Sequence, residues 1–299
     1  ITGMVGPYYF PGNANFLGGN RPYGALISYW LKESLGADQK PNSSSNSNSS
    51  SKPDSANSAA KVHVRILDGS GAVIREFDGT GEKGVNRVVW DLTRKGYRMP
   101  GQQLEEGQQP SGPPVLPGTY TVRVVAGADS AEGTVEVKPD PRREVSLAAR
   151  RQKDDAITKV GVRLDSLAKA VDRLQSTKES LSLITKKIGK WDGAGKAALA
   201  AKADSVTKKL DALLDDLRQP SNTVGITVDS TVSADLGNIY GQLTSSLDQP
   251  TAGQLEVMQW ALDRADAAEA RVKAFYADTM PAFHKAIEAA GFSLLGEKE

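Results

Sequence analysis

Residues 77–92 read FDGTGEKGVNRVVWDL, and the glycines in this stretch decide between two kinds of protein. Gly79, Gly81 and Gly84 fit the dinucleotide spacing G-x-G-x-x-G, and Glu105 comes at about the distance of a ribose-binding acid. A dinucleotide site needs those glycines between a strand and a helix, because the free N–H groups of the helix N-terminus hold the pyrophosphate. The residues after Gly84 are Val-Asn-Arg-Val-Val-Trp-Asp-Leu, rich in β-branched side chains and without a helix start. The glycines are therefore read as a loop from strand to strand that uses positive φ, and the chain around them as an all-β segment.

Working outward, period-two patterns recur on both sides. Before the loop, KVHVRILD (61–68), the turn Gly69-Ser70-Gly71 and AVIREFD (72–78) read as a hairpin. After it come VNRVVWDLT (85–93), a Gly/Pro/Gln-rich loop running to Pro114, then LPGTYTVRVVAG (116–127) and GTVEVKPD (133–140). GALISYWLKE, from Gly24, alternates Ala25, Ile27, Tyr29, Leu31 against Leu26, Ser28, Trp30, Lys32 and reads as a further strand. That makes six strands, with a seventh in ITGMVGPYYF at the start. Short alternating strands with turns between them predict an immunoglobulin-like antiparallel β-sandwich over residues 24–140. Between the first two strands lies a low-complexity insertion, residues 36–60, whose Ser/Asn-rich part has almost nothing to bury.

From residue 143 the period changes to 3.6. Ile157, Val160, Leu164, Leu167, Val171, Leu174, Leu181, Ile184 and Ile188 predict one helix of about 45 residues ending near Gly189. WDGAG then turns the chain into a second stripe, Leu199, Ala203, Val206, Leu210, Leu213 and Leu217, an antiparallel partner. SNTVGITVDSTVSADLGN (221–238) reads as a loop with an extended piece at 224–228, and a short helix over 236–247 comes next. A last helix starts at Thr251, and Pro281 is expected to kink or interrupt it. The expected fold class is thus α+β: the sandwich, then a helical bundle over 141–299 built on a long helical hairpin.

GVNRVVWDLTRKG followed by VLPGTYTVRVVAG resembles the immunoglobulin-like modules related to the flagellar hook-capping protein's domain, which recur at the C-termini of large secreted bacterial proteins. With NRPYGALISYWLKE before it and VKPDPR leading into long helices after it, the chain resembles the tail of sortilin-like, BNR-repeat β-propeller proteins often labelled glycosyl hydrolases. Its sharpest marks are Asn86, Trp90, Asp91, Pro117, Gly118, Thr119 and Tyr120, over a likeness spanning about residues 20–290. The resemblance implies an exported protein, periplasmic or extracellular, whose propeller is missing here, since no Asp-box S-x-D-x-G-x-x-W occurs. The start on Ile1 fits a processed piece of a longer precursor. Physically the marks are structural: Trp90 fills a core, Pro117-Gly118 sets a turn, and Tyr120 hydrogen-bonds back to a loop.

A net charge of +1 offers no field to attract nucleic acid. With no cysteine there is no disulfide, thiolate nucleophile or Cys-ligated zinc. No run approaches the roughly 18 apolar residues of a membrane span. His63 and His284 stand in different regions, and H-E-x-x-H, G-x-S-x-G and EF-hand spacings are lacking. The pairs Glu105-Glu106, Asp154-Asp155 and Asp215-Asp216 read as solvated carboxylates rather than acid/base dyads. No catalytic, cofactor-binding or metal-ligating residue is therefore assigned. The basic cluster Arg142, Arg143, Arg150, Arg151 and Lys153 opens the first helix, where the dipole disfavours cations; it suits either an acidic partner or a solvated face.

Seven of the 18 aromatics crowd into residues 1–30, broken throughout by Gly and Pro. Residues 1–23 read as a loop-rich arm, and Tyr8, Tyr9, Phe10, Phe16, Tyr23 and Trp30 are the candidate docking residues. Two functions compete. One is a non-catalytic structural module that docks on other protein subunits, as an extrinsic periplasmic subunit of an assembly that includes membrane complexes among its candidates. The other is the carbohydrate-binding accessory tail of a secreted glycoside hydrolase.

Overall fold

The computed structural model describes residues 20–35, 61–105, 107–220 and 230–293. Two compact units are present: the described residues through Lys61 with Gly79–Leu92, and Val62–Asp78 with Thr93 onward. The fold is mixed, antiparallel strands in small sheets and then helices.

The first unit is a two-stranded ribbon of β1 (Ala25–Leu31) and β4 (Gly84–Trp90), antiparallel with Ala25 opposite Trp90 and Leu31 opposite Gly84. Its alternation sends Ile27, Asn86 and Trp90 into buried positions and Leu26, Ser28, Trp30, Val85, Arg87 and Val89 to the other face. The glycine loop before β4 joins strand to strand, as expected, and it is tied down by Asn86. The Asn86 amide donates to the carbonyls of Glu82 (2.7 Å) and Gly84 (3.2 Å), and its carbonyl oxygen accepts from the Thr80 hydroxyl at 2.7 Å. The Tyr29 hydroxyl donates to the Thr80 carbonyl at 2.7 Å, so close to Gly79 that a Cβ there would lie 2.4 Å from that oxygen. Gly84 takes φ +100°, open to glycine and strained for other residues.

In the second unit β2 (Val62–Leu67), β3 (Val73–Gly79), β7 (Gly118–Ala126) and β8 (Asp129–Val137) form a sheet in the order β3-β2-β7-β8. Asp68 closes the β2–β3 turn by accepting from the Ser70 hydroxyl and the Ser70 and Ala72 amides, and the Ser70 hydroxyl leads the contacts that hold its carboxyl below the ordinary range. β8 begins at Asp129, four residues before the expected 133, because Gly127 at φ +63° and Ala128 suffice for the turn. Tyr120 reaches back as expected, its hydroxyl donating to the Leu116 carbonyl at 2.6 Å.

The Gly/Pro/Gln-rich stretch read as loop contains a strand pair, β5 (Thr93–Lys95) with β6 (Ser111–Pro114). Its prolines hide it from a pattern reading. It closes because Gly96 and Gly112 lack side chains: a Cβ on either would sit about 2 Å from a carbonyl oxygen of the opposite strand.

Helix α1 runs Leu147–Lys190, 44 residues against the expected 45, with Ser146 as N-cap. α2 (Lys196–Leu217) returns antiparallel, Lys178 meeting Asp211 at 2.7 Å; its last turns bury Leu210, Leu214 and Leu217, while Leu213 of the expected stripe is only half-buried. α3 (Val232–Thr244) starts before the expected 236, its Thr231 N-cap masked in sequence by the β-branched pair Thr231-Val232. α4 (Ala252–Ala274) opens on a capping box in which Thr251 and Gln254 each accept from the other's backbone N–H. Instead of a break before Pro281, Phe275–Thr279 widens into one π-helical turn, the Met280 amide bonding to the Phe275 carbonyl, and α5 (Met280–Ala289) continues with Pro281 in its first turn. The π turn interrupts the regular hydrogen-bond ladder just ahead of Pro281, which is where a residue without an N–H is accommodated. The helices share one apolar core that includes Leu164, Leu174, Leu210, Leu236, Ala265 and Phe283.

The β5–β6 pair is clamped to α1. The Tyr97 ring lies over Gly161, where a Cβ would be 2.1 Å from it, and meets Tyr240 edge-on at 6.2 Å. Arg94 binds Asp154 (2.7 Å) and Thr158 (2.9 Å), and Arg98 binds Asp172 (2.5 Å).

Candidate functional site

Ribbon β1–β4 is amphipathic only in part, because ALISYWL carries large apolar residues on both faces of its alternation. The register sets Leu26 beside Val89 and Trp30 beside Val85, with Ser28 and Arg87 between them joined by an Arg87 Nε to Ser28 Oγ bond of 3.0 Å. All four apolar side chains are exposed, Trp30 at 64% and Val85 at 77%. Solvent-facing sheet positions normally alternate to polar residues; here two exposed apolar pairs flank the single polar pair Ser28–Arg87. Within the residues of β1 and β4, Arg87 is the one charged side chain on this face.

Of the expected docking residues, the structure places Tyr23 (77% exposed) and Trp30 on the surface. Tyr8, Tyr9, Phe10 and Phe16 lie outside the described residues, as do the expected strand in 1–10, the 36–60 insertion, the 224–228 piece and Glu106. Pattern reading alone does not single out Leu26, Val85 and Val89. The signal is nonetheless in the sequence: a half-buried strand needs one apolar face, and this one has two.

The residues weighed for chemistry are dispersed. His63 Nδ1 lies 2.9 Å from Asp78 Oδ1, both exposed, a cross-strand surface pair of the kind that contributes little. His284 is exposed on α5. Asp216 holds Arg271 at 2.6 Å and Arg264 at 3.7 Å, while Asp215 faces solvent. Asp154 has its carboxyl pushed up from the ordinary value by burial, with Arg94 pulling the other way, and its partner in sequence Asp155 is exposed. No group of three or more His, Asp or Glu that could hold a metal occurs among the described residues, and no helix among them is long and apolar enough to cross a membrane.

The basic cluster is mostly spoken for. Arg142 chelates Asp140, which is thereby lowered to about 2, Arg143 reaches Asp248 at 4.0 Å, and Arg151 is solvated. Arg150 and Lys153 turn inward.

The marks of the sequence resemblance behave as framework. Asn86 ties the glycine loop, Trp90 is buried, and Tyr120 anchors the approach to β7. No family model, curated protein or solved structure matches the chain.

Proposed function

We propose that the chain is a non-catalytic interaction module that docks on a protein subunit of a larger assembly through the outer face of the β1–β4 ribbon. The observation that carries this is the exposed apolar patch of Leu26, Trp30, Val85 and Val89 around Arg87. Trp and Arg are the residue types enriched where interfaces bury their cores, while Lys and Glu are depleted. The occupant that fits is a protein face of apolar residues with a carboxylate opposite Arg87. In this reading the β part is an immunoglobulin-like sandwich, the helices are a rigid bundle, and the protein works outside the cytoplasm as an extrinsic subunit; the framework roles of Asn86, Trp90 and Tyr120 support it.

A photo-crosslinking residue at position 30 of the full chain, with position 159 on exposed α1 surface as control, tests the docking face. The expected result is an adduct with one protein subunit from position 30 only, lost when Val85→Asp is added. A folded monomer that crosslinks to nothing from position 30 in its native setting overturns it.

The same face supports a second reading, a sugar-binding accessory module, because Trp30 presents an open ring beside the hydrogen-bonding Ser28 and Arg87. Glycan-array binding that vanishes in Trp30→Ala favours it; absence of binding to every glycan removes it.

A further inference from the structure

A second feature of the molecule lies where the chain leaving β6 passes the start of α1. Pro113–Pro117, Ile157, Thr244, Ser246 and Leu247 line a half-open cavity of about 80 Å³, and Arg150, Lys153 and Asp154 enter its wall. The volume exceeds the roughly 10–15 Å³ that a single water needs, and is well below the few hundred Å³ of a pocket for a whole drug-sized ligand. It suits a head group.

The charges around it are unbalanced. Lys153 is buried, with its ammonium donating to the Ser246 carbonyl and lying 3.4 Å from the Ser246 hydroxyl. Arg150 spends its Nε on the Val145 carbonyl at 3.2 Å, and its Nη2 is shut off from solvent without any hydrogen-bond partner. No carboxylate stands within ion-pair distance of either cation among the described residues. The one acid in the wall, Asp154, is engaged by Arg94, and Asp248 acts on Lys153 only as a more distant charge. Burying cations without an anion is costly, and burial lowers the Lys153 pKa accordingly. An orphaned guanidinium nitrogen and a buried ammonium on the wall of one cavity, whose remaining lining is mostly apolar with Thr244, Ser246 and the Arg94-bound Asp154, form a set of donors waiting for an acceptor with a short apolar body.

We propose that this cavity is a binding site for a carboxylate carried on a short aliphatic stem, held by Arg150 and Lys153 with the stem against Leu116, Ile157 and Leu247. The carboxylate completes the hydrogen bonding of Arg150 Nη2 and neutralises the excess positive charge. Two sources carry this chemistry, a free short-chain acid and the C-terminal carboxylate of a peptide. This site is independent of the β1–β4 face.

Amide chemical shifts of the full chain, titrated separately with propionate, its isosteric neutral amide propionamide, a tripeptide ending in free Leu and the same peptide amidated, test the proposal. Saturable shifts at Leu116, Ser246 and Leu247 are expected with propionate or with the acid peptide, and the tighter of the two identifies the source. Propionamide and the amidated peptide should leave these residues unmoved. Arg150→Gln and, separately, Lys153→Gln should each weaken the response about tenfold or more, the size expected for one charge-assisted bond, with unchanged circular dichroism showing that the fold is intact. Equal response to acids and amides, or none to either acid, overturns the site.

Discussion

Ribbon β1–β4 and helix α1 both present large apolar side chains in strict period, yet they treat them oppositely. The stripe of α1 ends buried, from Ile157 through Leu164 and Leu174 to Ile188, against α2, α3 and α4. The ribbon buries Ile27 and Trp90 and leaves Leu26, Trp30, Val85 and Val89 in water. A helix with one stripe is satisfied by the helices beside it; a strand with two apolar faces has one face too many for its own fold. The surplus face is the one proposed above as the docking surface, and substitutions in the two regions should separate accordingly.

The largest effect is expected in α1. Leu174 is fully buried, so Leu174→Ala removes its contacts and leaves a cavity, costing about 2 to 5 kcal/mol. Urea denaturation of the full chain measures it through the midpoint at constant slope. A loss below about 1 kcal/mol would mean that the helices collapse easily around the gap, and the contrast with the ribbon would weaken.

Gly161→Ala sharpens the comparison from a different side. In an exposed helix interior this change stabilises by about 1 kcal/mol. Here the new Cβ would meet the Tyr97 ring at 2.1 Å, so the ring must leave its seat between Gly161 and Tyr240. The net result should be destabilisation of about 1 to 3 kcal/mol. In a Tyr97→Ala background the same change should become neutral or stabilising. That reversal of sign, read from thermal melts of the four variants as a double-mutant cycle, tests whether Tyr97 clamps the β5–β6 pair to α1.

These two regions also show why parts of the fold are legible in the sequence and others are not. The span of α1 and the loop nature of Gly79–Gly84 come from local chemistry, a stripe of period 3.6 in one case and β-branched residues after the glycines in the other. The β5–β6 pair is hidden because β5 is only three residues long, β6 carries two prolines, and the two close only where glycines far apart in sequence let backbones approach. Gly161 gives no sign of its role, since the ring that needs the space is 64 residues away in the chain. The candidate site divides the same way. Trp30 stands out as an aromatic, whereas Val85 and Val89 gain meaning only when the register brings them beside Trp30 and Leu26. The inward turn of Arg150 and Lys153 is not readable from a run of basic residues that otherwise pairs or solvates.

Tyr120→Phe should have an intermediate effect, about 1 kcal/mol for one hydrogen bond to the Leu116 carbonyl. It also carries a pH signature. Burial, reinforced by the charges of Asp154 and Asp68, raises the Tyr120 pKa above its ordinary 10.0. The folded protein therefore keeps this proton when the unfolded chain has begun to lose it. The stability contributed is fully present below pH 10 and falls as pH rises through 10 towards the folded value. Tyr240, raised by burial in the same direction, shares this alkaline limb. Denaturation midpoints measured from about pH 8 to about pH 11, a window around the ordinary tyrosine value, should fall less steeply for Tyr120→Phe than for the parent.

The smallest effect on stability belongs to the ribbon. Trp30 is as large as any side chain in the molecule, but at 64% exposure it contributes little that the fold needs. Trp30→Ser should move the urea midpoint by no more than about 0.5 kcal/mol equivalent, as surface changes away from buried features do. The same variant should lose its partner at the docking face, so stability and binding separate at one residue. A destabilisation approaching that of Leu174→Ala would show that the outer face of the ribbon is held by the protein's own fold. In that event the apolar surplus would be internal, and the docking assignment would have to move elsewhere on the surface.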